Sequence, residues 1–234
     1  MGAQFGLLIG DKCQIDGSID CGEERTVETD FGQVVVKVGE KWALICRSGS
    51  SPDNYLMPHE HNSAANLAAL KHLGVREVVG VHSSGSLRPS LMPGSLIIPD
   101  DWIDFTPHST VIKGQRHYLT PAFSRKVRQN LSAAAWKSET KFESGGIYWQ
   151  TAGPRLETKA EIKLMSNFAD LVGMGMATEA VLAQEMGLEY AAICSVDNYA
   201  NGLASPGLTD ESIREQSCKS ALNFVKVLTN YCSA

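Results

Sequence analysis

The chain has 234 residues, with 21 basic and 26 acidic side chains and a formal net charge of −5. Hydrophobic residues make up 43% and charged residues 20%, which excludes a mostly disordered chain and supplies apolar side chains for one sizeable core. The acidic balance removes the long-range pull towards nucleic acid and anionic membranes, but not towards a small anionic substrate held by a few placed Arg or backbone N–H groups.

Cys13, Cys21, Cys46, Cys194, Cys218 and Cys232 form no C-x-x-C pair and read as buried, reduced thiols. No apolar run reaches the length of about 18 residues that a membrane span needs. Met1 to Gly10 lacks the basic flank and long apolar stretch of a signal peptide, and Gly6 stands where a myristoylation motif has Ser or Thr. The expected compartment is the cytoplasm, and no low-complexity tract or repeat divides residues 1–234, which read as one domain.

In chain order, Phe5 to Ile9 reads as a buried strand ended by Gly10-Asp11. Gln33 to Val38 and Trp42 to Cys46 flank Gly39-Glu40 as a hairpin. Asn62 to Leu73 is Ala- and Leu-rich and stops at Gly74, a helix with its C′ residue. Glu77 to Val81 is a β-branched strand followed by a Ser/Gly turn, and Ser95 to Ile98 a further strand. Pro121 to Trp136 reads as a helix with Pro near its first turn. Ile147 to Thr151 is a strand and Glu157 to Asn167 a helix, with Thr158 and Glu161 spaced as a capping box. Leu171-Val172 is a short strand, Thr178 to Met186 a helix closed by Gly187, and Tyr190 to Val196 an apolar strand. The last helix starts at Thr209 or Asp210, with Ile213, Ala221, Phe224, Val225 and Leu228 on one face. This alternation predicts an α/β domain with a mostly parallel central sheet, whose ligands bind beyond the carboxyl ends of its strands.

The loops at those ends carry the chemistry. Arg47-Ser48-Gly49-Ser50-Ser51 can grip a tetrahedral oxyanion or simply carry a surface ion pair. His82-Ser83-Ser84-Gly85-Ser86-Leu87 lets backbone N–H groups approach a ligand, or makes a tight turn. Glu157 can accept from a heterocycle's N–H, or favour the following helix through its dipole. Met174, between two glycines, can reach a cleft or pack in the core. Asn198, after the buried strand, can donate and accept at once, as a purine edge requires, or serve as a turn residue. The chain has no G-x-S-x-G elbow, no G-x-x-x-x-G-K loop and no G-x-G-x-x-G fingerprint. His59-Glu60-His61 lacks the i, i+4 spacing of a zinc helix and reads as a surface pair at a helix start.

Taken together and in order, these segments resemble the trimeric purine nucleoside phosphorylase and methylthioadenosine phosphorylase family. The resemblance is carried by Gly85-Ser86-Leu87 with Pro93-Gly94, and by Ile97-Ile98-Pro99-Asp100-Asp101-Trp102-Ile103-Asp104. It continues through Ala152-Gly153-Pro154-Arg155-Leu156-Glu157-Thr158, Val172-Gly173-Met174, Thr178-Glu179-Ala180-Val181-Leu182-Ala183 and Asn198. It implies an α/β sheet that curls into a barrel-like core, and a homotrimer with active sites near subunit interfaces. It also implies reversible phosphorolysis of a purine nucleoside, with inorganic phosphate as co-substrate and no metal or organic cofactor.

By that resemblance Asn198 is catalytic and takes the purine N7/O6 edge, Glu157 the N1–H side, and Leu156 packs on the base. Met174 and His82 serve the ribose. Arg47, Ser48, Gly10 and the backbone near Ser83 hold phosphate. His117 reaches a neighbouring subunit's 5′ pocket. Asn198 with Glu157 complements the O6 acceptor and N1–H donor of a 6-oxopurine, which predicts inosine, guanosine or 5′-methylthioinosine as substrate.

Three departures from the family stand at the phosphate site. Gly10-Asp11-Lys12-Cys13 replaces a Gly-Gly-Ser/Thr-Gly loop, Ser48 replaces the His of the methylthio branch, and Gly175 replaces a Ser or Thr after the ribose Met. Ser48, Ser50, Ser51, Ser83 and Ser84 are expected to replace the lost hydroxyls, with Lys12 or another cation offsetting Asp11. A phosphate-independent nucleoside hydrolase and a non-catalytic nucleoside-binding protein on the same scaffold stay open as alternatives.

Overall fold

A computed structural model describes residues 3–10, 15, 19, 22–49, 55–107, 109–114, 116–204 and 208–232. Asp11, Lys12, Cys13, Cys21, Ser50 and Ser51 lie outside these residues. The strands are β1 (Phe5–Ile9), β2 (Glu23–Thr29), β3 (Gly32–Val38), β4 (Trp42–Cys46), β5 (Glu77–Ser86), β6 (Leu96–Ile98), β7 (Asp101–Asp104), β8 (Phe142–Ser144), β9 (Ile147–Gln150), β10 (Leu171–Gly173) and β11 (Glu189–Tyr199). The helices are α1 (Ser63–His72), α2 (Arg125–Lys137), α3 (Lys159–Met165), α4 (Met176–Glu185) and α5 (Asp210–Cys232).

All strands belong to one mixed sheet flanked by helices, the expected class. Its centre is β5, whose length organises the rest. One edge of β5 pairs in parallel with β11 from Glu77 to Ser86. The other edge takes β1 in parallel along Glu77 to Gly80, then β10 antiparallel at Gly85 and Ser86. Beyond β1 lie β4, β3 and β2, beyond β10 lie β9 and β7, and β11 carries β6 and β8. The sheet therefore divides at the carboxyl end of β5, and the loops singled out above meet at that division.

Side chains on the two faces alternate with the strand period. Val78, Ala192, Cys194 and Val196 pack with α1 and α4 residues such as Leu67, Leu70, Ala180 and Ala183. Val79, Val81, Ala191 and Ile193 pack on the opposite face with Val127, Leu131, Phe224 and Leu228 of α2 and α5. Each such fully buried aliphatic contributes about 1.5–3 kcal/mol relative to exposure.

Several boundaries differ from the sequence reading. The Ser/Gly turn expected after Val81 is strand, because β11 pairs with it through Ser86. β11 itself runs to Tyr199, with a bulge between Val196 and Asn198. The helix expected from Pro121 begins at Arg125, where Ser124 accepts from the Val127 N–H as its N-cap. α4 begins at Met176, two residues before the predicted start. β2, β7 and β8 were not expected as strands. Thr158 and Glu161 do form the capping box that starts α3, and Asn62 caps α1. Cys46, Cys194, Cys218 and Cys232 are free thiols, of which only Cys194 is fully buried. No described helix is long and apolar enough to cross a membrane.

Candidate active site

Arg47 follows β4 and is 5% exposed. It is not a surface ion pair. Its Nε and Nη2 donate to both carboxylate oxygens of Glu179 in the first turn of α4, the Nη2 bond at 2.9 Å. Nη1 donates to the Val81 carbonyl at 2.9 Å, and Nη2 also lies 3.1 Å from His82 Nε2. Tyr190 Oη donates to Glu179 Oε2 at 2.8 Å and sits 3.0 Å from the same His82 nitrogen. Burial alone would raise the Glu179 carboxyl, but Arg47 and then His82 outweigh it and hold it well below the usual range. Burial lowers His82, and Arg47 lowers it further, so the imidazole is neutral. His82 Nε2 stands between the Arg47 guanidinium, which can only donate, and a Glu179 carboxylate oxygen 3.3 Å away, which can only accept.

Ser48 is 6% exposed; its N–H donates to the Gly10 carbonyl and its Oγ lies 3.4 Å from His61 Nε2. His61 follows the 3-10 turn Pro58–Glu60 and lies beside Ser48, so the surface-pair reading fails for it. Burial, and next Arg47, push His61 down to about 4.

Of the serines expected to supply hydroxyls, two are committed elsewhere. Ser84 Oγ donates to the Ser195 carbonyl at 2.7 Å, and the Ser83 hydroxyl turns towards Asp197 on the α5 side. Only the Ser83 backbone can serve the site. Ser50 and Ser51, like Asp11 and Lys12, fall outside the described residues.

The second half of the site lies across the division of the sheet. A Cβ on Gly85 would stand 3.1 Å from Asn198 Nδ2, so the glycine lets the Asn198 amide lie against β5. One Asn198 amide hydrogen goes to the Tyr199 carbonyl at 2.9 Å, leaving the other hydrogen and Oδ1 for a ligand. Glu157 is 6% exposed; Thr151 Oγ1 donates to its Oε1 at 2.7 Å, and Asn201 holds its carbonyl at 3.0 Å. Leu156 stays exposed, as an apolar side chain awaiting a partner does. Met174 is half-buried against Gly153, where an added Cβ would meet its Sδ at 2.5 Å.

The two halves are joined by α4. Gly175 has no side chain to cap that helix. Gln150 does so from β9, its Oε1 accepting from Ala177 N at 2.7 Å and Thr178 N at 3.2 Å. Its Nε2 binds Asp104 and Thr178 Oγ1. Gln150, Tyr190 and His61 were not singled out from the sequence as site residues, and Glu179 was quoted only as part of a motif.

His117 does not join this cluster. It is exposed on the segment before α2, whose ends are tied to α4 by Val111 N to Glu185 and by Gln184 to Thr120.

A chain from Archaeoglobus fulgidus named as a probable 6-oxopurine nucleoside phosphorylase is 41% identical over 211 residues, 88% of this chain and 86% of that one. A Methanocaldococcus jannaschii chain named as a probable S-methyl-5′-thioinosine phosphorylase is 30% identical, covering 89% of this chain and 84% of its own. The methylthioadenosine phosphorylase of Schistosoma mansoni, solved with adenine, superposes with a TM-score of 0.88 at 24% identity, over 99% of this chain and 91% of that one. The family model described as Phosphorylase superfamily matches residues 4–233. With a match spanning nearly its whole length, and its family motifs gathered at one end of the sheet, the chain belongs to the phosphorylase superfamily.

Proposed function

We propose that the protein catalyses phosphorolysis of a 6-oxopurine nucleoside, inosine, guanosine or 5′-methylthioinosine, giving free purine and the ribose or methylthioribose 1-phosphate. The reading rests on Asn198 near the end of β11, with one amide hydrogen and Oδ1 unspent, and on the buried Glu157 after β9, whose backbone carbonyl is held by Asn201 just past β11. Asn198 donates to N7 or O6 through its free amide hydrogen, and the Glu157 carboxylate accepts from N1–H. An aminopurine, whose N1 carries no hydrogen, would set an acceptor against the Glu157 carboxylate. The relatives' names point the same way.

Phosphate attacks C1′ while the C1′–N9 bond breaks, and the purine leaves with its electron pair. Negative charge then gathers on N7 and O6, where Asn198 meets it, so that bond is strongest in the transition state. Met174 packs under the ribose with His82 nearby, Leu156 covers the base, and Arg47, Ser48, Gly10 and the Ser83 backbone hold phosphate. Phosphate is the sole co-substrate, with no metal or cofactor. The working assembly is a cytoplasmic homotrimer of one-domain subunits in which His117 closes a neighbour's 5′ pocket.

A second reading, with water as nucleophile, is favoured by one feature: Glu179 already neutralises Arg47. One assay decides. Inosine and methylthioinosine are incubated with and without phosphate and hypoxanthine is followed. Phosphate-dependent release at rates well above those of adenosine and methylthioadenosine is expected; equal release without phosphate would replace phosphorolysis by hydrolysis. Asn198→Asp should lower activity on inosine by about 10²-fold or more, as loss of one transition-state donor does.

A further inference from the structure

The ion pair of Arg47 and Glu179 leaves the phosphate site short of charge. All but one of the Arg47 N–H groups are taken by Glu179, Val81 and His82, and the pair is neutral as a whole. His82 adds little, because its Nε2 is already taken up between the Arg47 guanidinium and the Glu179 carboxylate, 3.3 Å away, and burial disfavours its charged form. Among the described residues, a doubly charged anion arriving at Ser48 therefore meets a nearly neutral cluster, with one other group close by that can gain a positive charge. That group is His61, whose Nε2 is 3.4 Å from Ser48 Oγ and 3.2 Å from the Leu56 carbonyl.

We infer that His61 is the second cationic group of the phosphate site and takes up a proton from solvent as the anion binds. The inference rests on the placement of phosphate at Arg47 and Ser48 proposed above. With Ser48 Oγ 3.4 Å from His61 Nε2, an anion bonded to that hydroxyl lies within reach of the imidazole. The charged and titratable groups facing His61 are Arg47 after β4, Glu179 on α4 and His82 on β5. In the free protein burial and Arg47 keep the ring neutral, with Nε2–H donating to Leu56. A dianion at hydrogen-bond distance favours the imidazolium against burial and against a guanidinium already paired to Glu179. The ring then donates Nε2–H to a phosphate oxygen instead of to the Leu56 carbonyl.

The probe is inorganic sulfate, which keeps its double charge where phosphate titrates, used with phosphate itself. In the wild-type protein, sulfate inhibition competitive with phosphate should tighten by up to about tenfold per unit as pH falls from about 8 to about 6. Calorimetry of sulfate binding in two buffers of different ionisation heat should show about one proton taken up per site. His61→Asn should raise the KM for phosphate about tenfold or more, flatten the sulfate profile and leave the KM for nucleoside within about twofold. Absence of proton uptake by the wild-type protein, or a His61→Asn variant with unchanged phosphate KM and sulfate slope, overturns the inference while phosphorolysis stands. Phosphate-independent cleavage by the wild-type protein overturns the phosphate site itself, and this inference with it.

Discussion

At the scale of single residues, the site is built on buried charge that is fully paired. Glu179 is 1% exposed and Arg47 5%, and each is the other's main partner. Such a pair stabilises little against an apolar replacement, but removing one member strands a desolvated charge at a cost of about 3–5 kcal/mol. Glu179→Ala should therefore lower the unfolding free energy measured in urea by that amount, whereas Glu179→Gln, which still accepts from Arg47, should lose less. Asp197 is the opposite case. Burial raises its carboxyl, and the hydroxyls of Ser83, Ser195, Ser217 and Ser220 offset this only in part. A carboxyl with a raised folded pKa binds its proton more tightly in the folded state, so folding loses stability as pH rises through the raised value. The loss is complete above that value and absent below the unfolded value of about 4. Asp197→Asn should melt higher than wild type at about pH 8, and the gap should close as pH falls towards about 4. A variant that melts lower at about pH 8 would show that the carboxylate is needed as an acceptor for those serines.

At the scale of elements, α4 positions both halves of the site. Met174 precedes it, Glu179 lies in its first turn, and Gln150 reaches from β9 to cap it. Gln150→Ala removes both the cap and the tie to Asp104 and Thr178, and should cost about 1–2 kcal/mol in thermal or urea unfolding, with a raised KM for nucleoside as Met174 loosens. This helix also shows what the sequence carries and what it does not. Its apolar spacing and closing Gly187 are local signals, and the predicted helix lacks only its first two residues. The missing start depends on Gln150, 27 residues away. In the same way Glu77 to Val81 reads as strand from its β-branched residues, but its continuation through Ser86 exists because β11 pairs alongside. β2 escapes notice because Glu23, Glu24, Arg25 and Thr26 are exposed at the end of the sheet and show no apolar period. Asn198, Glu157, Met174 and Arg47 were singled out because strand-end loops are where such a sheet binds ligands. Glu179 and His61 were not, since a carboxylate on a helix and a histidine after a turn read as surface until Arg47 and Ser48 are brought against them.

At the scale of the whole molecule, the described surface carries aromatic side chains that one copy leaves uncovered. Phe105, just after β7, is 82% exposed with its ring edge-on to Trp149, and Tyr118 is 84% exposed beneath Arg116. Phe105 lies on the arm of the sheet that carries β9, and Tyr118 on the segment tied to α4. The segment with His117 is tied near both ends by Glu185 and Gln184, while Arg116, His117 and Tyr118 between them are exposed. An exposed segment with tied ends presents a defined shape to a neighbour at little entropic cost. A closed ring in which each copy offers this segment to the next would cover the aromatics and complete every site equivalently. Light scattering on the eluted protein should give three times the 25.3 kDa chain mass. His117→Ala should keep that mass and raise the KM for nucleoside while leaving the KM for phosphate alone, since Arg47 and Ser48 belong to the subunit's own half. Tyr118→Asp, which buries a charge in the contact, should dissociate the ring, and activity per chain should fall with dilution. A monomeric wild-type protein with full activity would show that each site is complete within one chain.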